Sequence, residues 1–325
     1  MSPVVLVTGA AGEVGRRLCR KLVTAGWSVR ALVLPGDPLR RRLDGLDCDV
    51  REGDIRDLES LGSAVAGVDT VFHLAAVILA RDPGLYETIN HQGTAHMVAA
   101  AAVAGVRHFV YVSSASVVYP RLTPYGRSKL AAERCVQAEG RFAHTIVRPT
   151  LVYDESGGQE FMIFREHLRR FPVVPFIGPG RVLKRPVFSE DVVDGLARIA
   201  GNQASFGKTY NLSGGEAITL DALARLILDL SGERKRILHV PVAVCRALAT
   251  VLGWVMADPP ITPYAIAGFT NDADLDPAAA IADLGYSPRG VRVGLASCFP
   301  SAAFTPTEPS ETVDRAIRTV DGREP

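Results

Sequence analysis

Tyr125-Gly126-Arg127-Ser128-Lys129 spaces a phenol and an ammonium four residues apart in a segment that reads as helical. At i and i+4 the two side chains share a helix face, one turn apart. A cation beside a tyrosine favours the phenolate, so this pair predicts a lowered Tyr125 pKa and a phenol able to act as general acid/base. A serine cluster just upstream, Ser113, Ser114 and Ser116, could hydrogen-bond a developing alkoxide. At the N-terminus, Thr8-Gly9-Ala10-Ala11-Gly12-Glu13-Val14-Gly15 puts glycines where backbone must approach a pyrophosphate closely. Together these features predict hydride and proton transfer with a nicotinamide dinucleotide.

Such residues need a scaffold, and the apolar pattern supplies one. Val4–Thr8, Val29–Leu34, Asp49–Glu52, Thr70–Leu74, His108–Ser113 and His144–Arg148 read as strands. Between them a helical pattern runs from Val14 to Gly26, followed by helices at Leu58–Ala66, Thr94–Ala104 and Tyr125–Ala138. Apolar strands alternating with helices indicate a parallel sheet covered on both faces, with right-handed crossovers. After Pro149 the regularity weakens. Residues 154–186, rich in Gly and Pro, read as loop with one helix near Glu160–Arg170. Helices follow at Glu190–Ala200 and Leu220–Leu230, with a late strand at Thr209–Leu212. The last stretch, 301–325, loses the apolar period and reads as a flexible tail.

The set of motifs resembles the extended branch of the short-chain dehydrogenase/reductase superfamily over about residues 4–215. The resemblance rests on TGxxGxxG, Gly53-Asp54-Ile55-Arg56-Asp57, His73-Leu74-Ala75-Ala76, Asn90 with Gly93-Thr94, Ser113-Ser114, Tyr125/Lys129 and Arg148-Pro149. It implies an α/β, Rossmann-type doubly wound parallel sheet with a smaller C-terminal substrate lobe. The dinucleotide domain would span 1–153 and be completed by about 187–213; the lobe would comprise 154–186 and 214–300. Cofactor contacts are expected from Gly9, Ala11, Gly12, Glu13, Val14, Gly15, Asp54, Ile55, Leu74, Ala75, Ala76, Asn90, Ser113, Tyr125, Lys129, Pro149 and Val152. Asp54 and Ile55 would border the adenine, Leu74 to Ala76 the ribose and pyrophosphate, Pro149 and Val152 the nicotinamide. Ser114, Tyr125 and Lys129 would be catalytic, with Ser113 and Ser116 as alternatives to Ser114. The resemblance also makes Asp191 a structural residue at the start of a helix.

The second strand ends in Val33-Leu34, without the acid that usually holds the ribose hydroxyls of NAD. Asp37 could reach back for NAD; Arg40-Arg41-Arg42 could engage a phosphate of NADP or simply form a solvated face. The cofactor is therefore expected to be NAD or NADP, with the preference open.

Composition excludes several classes. A net charge of +1 over 325 residues shows no overall basic excess for nucleic acid or an anionic membrane. The five cysteines are scattered without a CxxC pair, and the seven histidines show no metal spacing, so neither disulfides nor a metal are expected. His73 sits in an apolar run and reads as a packed core histidine. The most apolar stretch, Val240–Ala257, is interrupted by Pro241 and Arg246 and is not expected to span a membrane. The expectation is a cytoplasmic enzyme, with a homodimer possible.

For the substrate, Lys184 and Arg185 stand where family members grip a pyrophosphate, and Tyr210-Asn211-Leu212-Ser213-Gly214-Gly215-Glu216 resembles a segment of sugar epimerases and 4-keto-sugar reductases. A nucleotide sugar contacting Ser114, Ser116, Tyr125, Lys184 and Arg185 is the favoured expectation. The apolar stretches 238–253 and 261–269 suit the alternative, a 3β-hydroxysteroid dehydrogenase-like enzyme taking a sterol or lipid alcohol. A non-catalytic Rossmann binding or assembly subunit is a third possibility, against which the intact Tyr125/Lys129 pair argues.

Overall fold

The computed structural model describes residues 3–256 and 261–299, so the tail expected at 301–325 lies outside the described residues. The first half alternates as the sequence pattern predicts: β1 (Val4–Thr8), α1 (Glu13–Thr24), β2 (Ser28–Val33), β3 (Cys48–Glu52), α2 (Gly62–Val65), β4 (Thr70–His73), α3 (Gly93–Val103), β5 (His108–Val112), α4 (Pro124–Ala138) and β6 (Ala143–Pro149). Next come β7 (Val152–Tyr153), α5 (Gln159–Arg170), β8 (Val173–Ile177), β9 (Leu183–Lys184), β10 (Val187–Phe188), α6 (Ser189–Ala197) and β11 (Lys208–Leu212). The chain closes with β12 (Ile218–Thr219), α7 (Leu220–Leu230), β13 (Arg236–Val240), α8 (Val242–Val255), α9 (Pro263–Thr270), α10 (Ala278–Leu284) and α11 (Val291–Ser297).

Seven strands form one sheet in the order β11-β6-β5-β4-β1-β2-β3, every neighbouring pair parallel. The chain leaves β1 in one direction through β2 and β3, then returns to build outward from β4. The crevice beyond the carboxyl ends of β1 and β4 is thus the topological switch point, where doubly wound sheets bind ligands. Side-chain alternation along β1 covers both faces. Val5 and Val7 join Leu18 and Leu22 of α1 and Val192 and Leu196 of α6, while Leu6 joins Val65, Met97 and Ala132 on the opposite side.

The lobe has its own core, in which Phe161 and Leu168 of α5 meet Phe176 of β8, Leu223 and Ile227 of α7, and Leu295 of α11. Two expectations need correction and one helix gains a preceding turn. Leu58–Ala66 is a 3-10 turn at Glu59–Leu61 followed by the short α2, because Gly62 falls mid-segment and weakens a continuous helix. The helix expected from Thr94 is preceded by a π-helical stretch, Tyr86–Gln92, whose wide turn buries both Tyr86 and Asn90. Residues 154–186 are not mostly loop: β8 pairs in parallel with β13, Val173 opposite Arg236, a partner too distant for local periodicity to reveal.

Candidate active site

The glycine turn is built from three different constraints. Gly9 has φ +64°, and a Cβ there would lie 2.9 Å from the Ala75 backbone nitrogen. A Cβ on Gly15 would sit 2.2 Å from the Gly9 carbonyl oxygen, so α1 packs directly on the turn. Gly12 differs: its only neighbour would be that same oxygen at 3.2 Å, so one side faces open space. Gly12 also caps α1 with no side-chain hydrogen bond, leaving the helix N-terminus aimed at that space. The Ser113 hydroxyl is buried with no hydrogen-bond partner, near the same strand ends. Open glycine, uncapped helix and orphaned hydroxyl fit a dinucleotide. Ala11 and Val14 face the core, so only their backbone is available to it.

Loop 74–77 is held from below. Thr8 Oγ1 accepts from the Leu74 and Ala75 backbone N–H groups at 3.2 and 3.1 Å, and pairs with His73 Nδ1 at 2.7 Å. His73 Nε2 pairs with Thr94 Oγ1 at 3.0 Å, and burial lowers its pKa to about 3. His73 is therefore a neutral core histidine joining β1, β4 and α3, as its apolar run predicts. Asn90 is fully buried, and its amide is spent on both backbone groups of Val77 and on Ser128 Oγ. It clamps the loop to α4. Ile55 is admitted by Gly93, where a Cβ would meet its side chain at 2.8 Å; Asp54 pairs with Arg56 at 2.6 Å.

At the end of β2, Asp37 Oδ1 accepts from the Leu39 N–H at 2.8 Å, capping the 3-10 turn Pro38–Leu43, and so does not reach back. The carboxylate present is that of Glu13, paired with Arg16 at 2.7 Å and Arg42 at 2.8 Å, while Arg40 and Arg41 are exposed.

Thr123 caps α4 through the Gly126 N–H at 3.0 Å and starts the helix with Tyr125 facing inward. Tyr125 packs against Val77 and edge-on against Tyr86, ring centroids 5.9 Å apart. Ser114 Oγ accepts from the Ser116 N–H at 3.1 Å and from the Ser116 hydroxyl at 3.0 Å. Accepting twice, Ser114 Oγ keeps its own proton to donate, and its nearness to Tyr125 opposes the effect of burial on the phenol. The three serines separate: Ser116 donates to Ser114, and Ser113 stands apart with a buried, unpartnered hydroxyl.

Lys129 is 2% exposed, donates to the Val112 carbonyl oxygen at 2.7 Å and lies 4.4 Å from the centroid of the Tyr111 ring. Burial lowers its pKa to about 7, opposed by Glu133. Glu133 in turn holds Arg148 through two hydrogen bonds, 2.9 and 2.7 Å, fastening α4 to β6. The expected lowering of the Tyr125 pKa is not found. Burial pushes the phenol well above its ordinary value and Glu160 adds to this, outweighing the Ser114 hydrogen bond. Desolvation disfavours the charged forms of both groups, so the pair is poised as neutral phenol beside a lysine titrating near neutrality.

Pro149 ends β6, and Val152, three residues on, opens β7, which pairs with β10 outside the main sheet; both are part-exposed. Lys184 is 5% exposed, donates to the Asn271 carbonyl oxygen at 2.7 Å and lies 6.0 Å from the centroid of the Tyr119 ring; burial lowers its pKa to about 8. Arg185 is paired with Asp274 at 2.6 Å. Asp191, in the first turn of α6, accepts from the Arg289 backbone N–H and guanidinium, each at 2.9 Å, tying α6 to the segment before α11. The sequence reading missed Tyr86, Tyr119 and Glu160. The charge of Glu160 acts on all three active-side tyrosines and on Lys184. Tyr86 leaves one trace in the sequence, four residues before Asn90 on the same helical turn.

The chain is 27% identical over 340 residues to a 3 beta-hydroxysteroid dehydrogenase/Delta 5→4-isomerase of Mycobacterium tuberculosis, covering 91% of this chain and 89% of that one. It is 34% identical over 174 residues to a ceramide reductase of Caulobacter vibrioides, 54% of each chain. The solved structure of MoeE5 in complex with UDP-glucuronic acid and NAD superposes with a TM-score of 0.69 at 27% identity, covering 90% of this chain and 96% of that one. Residues 5–213 match the NAD dependent epimerase/dehydratase family, to which the chain belongs as an NAD(P)-dependent enzyme of the extended short-chain dehydrogenase/reductase type.

Proposed function

We propose that the enzyme interconverts a ketone and a secondary alcohol carried on an apolar, lipid-like molecule. The observation that carries this reading is the Arg185–Asp274 ion pair at 2.6 Å, which neutralises the cation expected to grip a pyrophosphate. The ammonium of Lys184 is likewise bonded within the lobe. The steroid dehydrogenase relative, aligned over 91% of this chain, and the ceramide reductase relative support the same substrate class.

The chain's own groups divide the work. Tyr125 Oη–H gives its proton to the carbonyl oxygen, and a phenol kept neutral by burial suits that acid role. Ser114, its oxygen already accepting two hydrogen bonds, has its proton to offer to the same oxygen as charge grows there. Lys129, anchored by Val112 and one turn along the helix from Tyr125, would hold the ribose side of the dinucleotide. When bound, the reduced nicotinamide supplies the hydride that ends on the carbonyl carbon. Gly12, the N-terminus of α1 and loop 74–77 would hold its pyrophosphate.

A nucleotide sugar is the second reading, favoured by the likeness to MoeE5, solved with UDP-glucuronic acid and NAD. The deciding experiment is a turnover panel with NAD(H) and NADP(H): a 3-hydroxysteroid, a long-chain keto lipid, and UDP-hexoses. Saturable turnover of a lipid ketone or alcohol with kcat/KM at least tenfold above any UDP-sugar is expected. Turnover of a UDP-sugar whose KM rises strongly in Lys184→Ala would overturn the reading.

A further inference from the structure

Helix α8 is apolar on two faces. Cys245 and Ala249 pack inward against Ile266 of α9 and against Ile177 and Val240 at the ends of β8 and β13. On a second face, Val244, Leu248, Val251 and Val255 recur at i, i+4, i+7 and i+11, all exposed, with Val255 74% exposed. Trp254 flanks this stripe at 81% exposure, and Leu238 on the neighbouring β13 is 58% exposed. A contiguous exposed apolar surface of this kind marks an interaction site.

We infer that this face docks on an anionic lipid bilayer. The net charge of the whole chain hides a local asymmetry: residues 234–256 contain Arg234, Lys235, Arg236 and Arg246 but no Asp or Glu. Arg236 and Leu238 alternate onto one face of β13, so a cation stands beside the apolar surface. Arg246 lies on the far side of α8 from the stripe, which leaves Arg234 and Arg236, both exposed, as the basic rim. The nearby carboxylates are already engaged: Glu233 with Lys235 at 2.5 Å, and Asp221 with Arg225 at 2.8 Å and His239 at 3.1 Å. A second copy of the chain fits less well, because the nearby acids Glu233 and Asp221 are already paired within the chain and leave little to answer Arg234 and Arg236 across a two-fold interface. An anionic headgroup layer supplies the missing sign. Among the described residues no helix is long and apolar enough to cross a membrane, so α8 would lie in the interface plane with Trp254 at its end. The inference stands apart from the substrate reading, since a nucleotide-sugar enzyme could dock in the same way.

The test is flotation of the full chain with vesicles of phosphatidylcholine alone or with phosphatidylglycerol added. Binding to the mixed vesicles is expected, weakening with salt. It should fall at least tenfold in Leu248→Glu/Val251→Glu and roughly fivefold per charge in Arg234→Ala or Arg236→Ala. In a Trp27→Phe background, the emission of Trp254 should shift to the blue on adding vesicles, a readout that needs no variant of the stripe. Absence of vesicle binding, or binding unchanged in these variants, would overturn the inference. So would a wild-type dimer that the Leu248→Glu/Val251→Glu variant turns into a monomer, which would assign the face to a second copy.

Discussion

Gly126 lets α4 approach the serine turn so closely that a Cβ on it would lie 2.8 Å from the Ser116 carbonyl oxygen. Because Gly126 follows Tyr125 directly and Ser116 bonds to Ser114, this contact sets the distance between phenol and serine hydroxyl. Gly126→Ala must push α4 away from backbone that cannot yield cheaply. A fall in kcat of roughly 10–100-fold is expected, with dinucleotide affinity little changed, since misplacement by about 1 Å can cost this much. Gly140→Ala, with open space around it, is the control and should be neutral. Equal kinetics for the two variants would show that the contact does not position Tyr125.

Tyr125→Phe keeps the ring packed on Tyr86 but removes the transferable proton. Turnover should drop roughly 10²–10⁴-fold while the dinucleotide still binds. Near-full activity, measured by nicotinamide absorbance with the true substrate, would exclude the proposed acid.

The two glycines after the turn separate binding from folding. Gly12→Val must move the Gly9 carbonyl oxygen, 3.2 Å from its Cβ, by only a few tenths of an ångström, so it should lower the melting temperature less than Gly15→Ala while abolishing NAD(P)H binding by fluorescence titration. Gly15→Ala would put a methyl 2.2 Å from the Gly9 carbonyl oxygen, so it should lower stability itself. An unchanged dinucleotide affinity in Gly12→Val would remove the turn from the binding site.

Lys129 makes stability depend on pH with a definite sign. Burial holds its folded pKa near 7, whereas an unfolded lysine titrates at about 10.4. Below pH 7 both states bind the proton, and the folded protein bears the full cost of a buried ammonium. Between about pH 7 and 10 the unfolded state binds more protons, so this group's contribution rises with pH. The dinucleotide-free Lys129→Met variant should therefore melt above the wild type at pH 6, with the gap narrowing by pH 9. A gap that stays constant across that range would show that Lys129 does not titrate there.

The sequence by itself determined the Rossmann half and the type of chemistry. Gly9, Gly12 and Gly15 act within one turn, and Tyr125 and Lys129 act within one helix, so backbone geometry over a few residues fixes their relation wherever the fold places them. Apolar alternation likewise announced the parallel strands, because burial on both faces is written into each strand separately. Tertiary structure decided everything that depends on a distant partner. Ser114 was separated from Ser113 and Ser116 only by the turn against α4. Asn90 became a clamp because Val77 and Ser128 surround its amide. Arg185 was matched to Asp274, 89 positions away, and Asp191 to Arg289, 98 positions away. The protonation of Tyr125 also lay beyond local spacing, since the nearby cation was legible but the desolvation that keeps the phenol neutral arises only when Val77 and Tyr86 pack around it.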